Sequence, residues 1–66
     1  MTMTMKAARA NANMTQQEVA DKMGVHVQTY QKLERNPENA TIKEAKLFAT
    51  IVGLSFTDIF FGPNSN

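Results

Sequence analysis

The chain has 66 residues, no cysteine and no tryptophan, and seven Lys+Arg stand against six Asp+Glu for a formal charge of +1. That length holds one domain at most, and without cysteine neither a disulfide framework nor a thiolate zinc site can staple it. No apolar run approaches the ~20 residues of a membrane span, and the opening MTMTMKAARA lacks a signal peptide's apolar stretch, so a cytoplasmic location and no membrane partner are expected.

Along the chain no segment alternates apolar and polar residues for long; what recurs is the signature of a helix start. A first helix is predicted over 5–12, ending at Asn13, a residue that tolerates left-handed backbone. Thr15-x-x-Glu18 then opens a second over 16–23, closed by Gly24. Its hydroxyl can accept from an exposed backbone N–H while the acid three residues on answers it. A third runs over 27–35 and stops at Asn36-Pro37, because the residue before proline is pushed out of helical geometry. Thr41-x-x-Glu44 opens a fourth over 42–52, closed by Gly53; Ser55-x-x-Asp58 opens a fifth over 56–61, closed by Gly62-Pro63. Met14 with Val19 and Leu54 with Ile59 supply apolar staples across two of these starts. The inward stripes are Val19, Ala20 and Met23; Tyr30 and Leu33; Ile42, Ala45, Phe48, Ala49 and Val52; and Ile59 and Phe60. The prediction is an all-α compact bundle of five short helices in a single domain, 1–66.

Only Gly24, Val25 and His26 separate the second helix from the third. Two helices joined so tightly must cross steeply, which is helix-turn-helix geometry. Ala20 is small where the two approach, and Val25 plugs the corner. The stretch TQQEVADKMGVHVQTYQKLERN resembles the helix-turn-helix of the lambda-repressor-like, Cro- and XRE-type DNA-binding family. Arg9, Thr15-Gln16, Ala20, Gly24-Val25, Leu33-Glu34, Val52-Gly53-Leu54-Ser55 and Asp58-Ile59-Phe60 carry that resemblance across nearly the whole chain.

The resemblance implies roles, each with a physical reason beside it. Gln16 matches the family's phosphate-clamping glutamine, and an amide at a helix N-terminus adds a donor to free backbone N–H groups. Val27, Gln28, Gln31 and Lys32 match the base-contacting positions of the recognition helix, with Gln28 foremost. Gln can pair with adenine, Lys can reach guanine acceptors and Val can pack on a thymine methyl. Val27 is the odd member, since an exposed β-branched residue in a first turn needs something to meet. Gln17, His26, Thr29, Asn36, Asn39 and Lys43 are expected along the DNA backbone. Arg9 and Glu34 correspond to a structural ion pair of the family. On this sorting Gln16 positions the protein and Gln28 reads.

Two positions depart from the family's pattern. Tyr30 replaces a usual Ile or Val, and its hydroxyl must find a partner or the surface. Asn36-Pro37-Glu38-Asn39 stands where relatives often carry Lys or Arg; Glu38 repels phosphate and Lys43 offsets it in part, so modest affinity or a modest salt dependence is expected. The acids Glu18, Glu34, Glu44 and Asp58 serve as caps or as Arg9's partner, which leaves Lys32, Lys43, Lys6 and Arg35 to lie toward DNA. A short fifth helix cannot bury Phe56, Ile59, Phe60 and Phe61 together, so Phe56 or Phe61 should be exposed and this end should form a homodimer interface.

The expected function is a transcriptional regulator, a phage Cro- or repressor-like binder of double-stranded operator DNA. The alternative is a protein-interaction module of the same fold, such as an antitoxin or antirepressor. No enzyme is expected, because one His, no Cys and no Gly-rich loop assemble no nucleophile–base pair. No cofactor, metal or small-molecule ligand is expected either.

Overall fold

The computed structural model describes residues 2–63. Four α-helices form the body: α1 (Met5–Asn11), α2 (Gln16–Met23), α3 (Val27–Arg35) and α4 (Ile42–Val52), with 3-10 turns at Pro37–Asn39 and Phe56–Asp58. None of these helices is long and apolar enough to cross a membrane. The chain folds into an all-α bundle of 26 × 21 × 21 Å. In it α2 packs against both α3 and α4, while α1 lies on α4.

Local chemistry accounts for where the helices begin. Thr15 and Thr41 each accept from the N–H three residues on, and Glu18 and Glu44 accept in return from the threonine N–H groups at 2.8 and 2.9 Å. Both are complete capping boxes. Thr4 caps α1 by accepting from Ala7 at 3.1 Å; the helix starts at Met5 as predicted, but this cap was not foreseen from the sequence.

Three helices end by one device. Asn13, Gly24 and Gly53 take φ of 57°, 75° and 75°, the left-handed region. In each case the next residue (Met14, Val25 or Leu54) donates back five residues, to Arg9, Ala20 or Ala49, at 3.0–3.2 Å. Those three residues also pack on the core, so each closure is polar in the backbone and apolar in the side chain. The core is Met5, Ala8, Val19, Ala20, Tyr30, Leu33, Phe48, Ala49, Val52 and Ile59.

The fifth helix predicted over 56–61 is a single 3-10 turn instead. Ser55 does not form a capping box with Asp58; its hydroxyl sits 3.0 Å from that of Thr57. The reason lies in a distant partner. Met3 donates to the Asp58 carbonyl at 2.9 Å, and Phe60 donates to the Met3 carbonyl at 2.8 Å, a parallel bridge between residues 3 and 59. Backbone committed to that bridge cannot also continue a helix, and one turn is too short to nucleate one alone.

This changes the aromatic end. Ile59, expected in a dimer interface, is 5% exposed and belongs to the core. Phe56 and Phe61 are half-buried and stacked, ring centroids 5.6 Å apart, and Phe61 meets Phe48 edge-on. The ring left outside is Phe60, 45% exposed, rather than Phe56 or Phe61. It folds over Gly62, where a Cβ would lie 2.5 Å from its Cζ. Ile42 is likewise not inward: it is 64% exposed at the first turn of α4, ahead of the stripe that begins at Ala45.

An alanine Cβ at Gly24 would meet nothing within 4 Å, so the cost of substitution there is backbone strain alone. Gly24→Ala should destabilise by about 1 kcal/mol, a fall in Tm of about 4–8 °C for a domain this small. Thermal unfolding followed by circular dichroism checks it.

Candidate nucleic-acid interface

The polar centre of the molecule is a carboxylate. Tyr30 and Glu34 stand one turn apart on α3, and the Tyr30 hydroxyl donates to Glu34 Oε2 at 2.5 Å. From α1, Arg9 Nε reaches the same oxygen at 2.6 Å, and from the first residue of α2, Gln16 Nε2 donates to Glu34 Oε1 at 3.0 Å. Arg9 and Glu34 side chains are 15% and 7% exposed, so this is no surface pair. Arg9 also donates to the Met14 carbonyl at 3.0 Å, which ties the end of α1 into the cluster.

Burial alone would favour a neutral Glu34, but hydrogen bonds from Arg9, Tyr30 and Gln16 outweigh it and hold its carboxyl below the ordinary value. Tyr30 moves the other way. Burial, and then donation to a carboxylate that needs its proton, push the phenol well up. Its ring is fully buried and stacks on Phe48 at 6.1 Å, which answers the question its hydroxyl posed. The i, i+4 spacing of Tyr30 and Glu34 was the available signal for this contact.

Gln31 Nε2 donates to Gln16 Oε1 at 3.0 Å. Lys6, Gln16, Gln31, Glu34 and Arg35 together line an open groove between α1, the start of α2 and α3. Gln16, expected to position the protein, and Gln31, expected to read bases, are therefore in direct contact. Sequence reasoning had no signal for it, since the two residues meet only once α2 and α3 cross.

The remaining candidates lie as follows. Gln28, Thr29 and Lys32 are exposed on α3, with no side-chain hydrogen bond or ion pair among the described residues. Val27 is half-buried and packs on the core, so its apolar character has an intramolecular reason. His26 is the N-cap of α3, exposed, and makes no side-chain cap. The Gln17 amide donates to Asp21 at 2.8 Å on the surface of α2. Asn36, Asn39 and Lys43 are exposed around the turn that leads from α3 into α4, whose Pro37 is buried. Among the described residues no three His, Cys, Asp or Glu side chains gather as a metal site.

The model of a helix-turn-helix family matches residues 5–59, and the chain belongs to that family, within the Cro/XRE-type superfamily. No curated protein and no solved structure gives a significant match.

Removing one partner from the cluster should be costly. Arg9→Met leaves the buried Glu34 charge short of its main counterion and should destabilise by about 2–4 kcal/mol, whereas Tyr30→Phe should lose about 1–2 kcal/mol. The linkage has a definite sign. Because the folded pKa of Glu34 is lowered from 4.5, its stabilisation is complete above that value and is lost as pH falls through the folded one. Glu18, lowered by accepting from the Thr15 backbone, titrates in the same sense. Urea midpoints should hence fall below about pH 4.5, less steeply in Glu34→Gln than in the wild type.

Proposed function

We propose that the chain is a sequence-specific, double-stranded-DNA-binding transcriptional regulator, Cro- or repressor-like, that sets α3 in the major groove of operator half-sites. The observation that carries this reading is the outer side of α3. Gln28, Thr29 and Lys32 project there without intramolecular side-chain partners, on the second helix of a helix-turn-helix. A polar row with unspent donors and acceptors is what base edges require.

Gln28, Gln31 and Lys32 serve as readers, with Val27 at the edge of that surface. Gln16, Gln17, His26, Thr29, Asn36, Asn39 and Lys43 lie along the backbone. One recognition helix spans only a few base pairs, so a homodimer on half-sites about 34 Å apart supplies the selectivity. Phe60 is the aromatic ring on offer for that contact, flanked by the half-buried Phe56 and Phe61. The second reading, a protein-interaction module such as an antitoxin, draws on the exposed Ile42 and Leu47 of α4.

Fluorescence titration with the DNA upstream of its own gene, against scrambled DNA, tests the first reading. Specific binding should exceed nonspecific by about 10³-fold or more, and Gln28→Ala should cost about 1–3 kcal/mol on the specific site alone. Equal weak binding to both sequences would favour the second reading. For the dimer, Phe60→Glu should keep its circular dichroism spectrum and sediment as a monomer; a mass unchanged from a dimeric wild type would take Phe60 out of the interface.

A further inference from the structure

The hydrogen bonds that leave Glu34 run in one direction only. A carboxylate can accept but not donate, so whatever touches it must donate. Gln16 therefore turns its amide nitrogen toward Glu34, which leaves its Oε1 to face Gln31. That oxygen again accepts, so Gln31 must meet it with Nε2, as it does at 3.0 Å. Neither amide can be flipped without opposing acceptor to acceptor or donor to donor. One buried negative charge, held by Arg9 and Tyr30, thus sets the sense of two amides in turn.

What remains on Gln31 is its Oε1 and its second N–H. Neither has a partner among the described residues, and the side chain lines the open groove. An acceptor beside a donor complements the N6–H and N7 that adenine shows in the major groove. Guanine presents two acceptors there, one of which would oppose Oε1. Gln28 has no such restraint: its amide is exposed and can turn either way.

Resting on the DNA-reading function above, we propose that Glu34 is a positioning residue that acts through Gln16 to fix Gln31 as a reader of adenine. Gln16 is then a specificity-determining residue as well as a neighbour of the DNA backbone, since its second N–H remains available to a phosphate.

Selection from randomised duplex DNA tests this with wild type, Gln16→Ala, Gln31→Ala and the double variant. The wild type should prefer adenine over guanine at one half-site position by about tenfold, the scale of a single bidentate pair. Gln31→Ala should abolish that preference, Gln16→Ala should reduce it most of the way at the same position and no other, and the double variant should match Gln31→Ala. A second readout needs no DNA: by NMR, water exchange of the Gln31 side-chain amide should be slowed in the wild type and accelerate in Gln16→Ala. Affinity that falls equally for all sequences in Gln16→Ala, with the adenine preference intact, overturns the proposal while leaving the DNA-reading function standing. Unaltered Gln31 amide exchange in that variant overturns it too. A wild type with no base preference at any position removes the DNA-reading function and this proposal with it.

Discussion

The burial of one negative charge organises this molecule. Glu34 belongs to α3, yet its oxygens are claimed by Arg9 from α1 and Gln16 from α2. Three helices are therefore registered on two atoms. Hydrogen bonds have length and direction, and a largely covered charged acceptor tolerates little misalignment. Tyr30 joins this polar centre to the apolar one, with its ring on Phe48 and its hydroxyl on Glu34. The aromatic contacts continue through Phe61 to Phe56, so α3 is linked through a chain of ring contacts to the far end of the described chain.

Short helices need this help, since none of the four exceeds 11 residues and each would be marginal alone in water. The backbone economises on connections. After α1, α2 and α4 a left-handed residue and an apolar one reverse the chain at once, with the last carbonyls satisfied by the turn itself. Almost no residue is spent on slack. Where this device follows α2 it also fixes the direction in which α3 departs, which converts a local glycine into the crossing of the helix-turn-helix.

What could be read from the sequence follows from the range of each interaction. Capping boxes at Thr15 and Thr41 and left-handed stops at Asn13, Gly24 and Gly53 are written within a few residues, and they placed α1, α2 and α4 well. The residues after Ser55 carried a similar local signature, yet it lost to backbone hydrogen bonds exchanged with Met3, more than fifty positions away. Val27 was misjudged for a related reason: its helical position suggested exposure, but the neighbouring elements cover part of it. In the candidate interface the residue types were legible, and so was the pairing of Arg9 with Glu34, but the other partners were not. Gln16, Gln31 and Glu34 all stood out, but a network among three side chains on two crossing helices has no linear spacing to reveal it.

Helix α3 is the least locally specified of the four. His26 gives it no side-chain cap, and it closes at Asn36 without the left-handed turn used elsewhere. Its place is held mainly by Tyr30, Leu33 and Glu34 on the inward side, with Val27 at the margin. Gln28, Thr29 and Lys32 are exposed and make no side-chain hydrogen bond or ion pair among the described residues, so they can be exchanged over generations at low cost in stability. A helix held this way lets the exposed side chains of its nine residues change while the architecture stays put, so a duplicated copy could alter that face without disturbing the bundle.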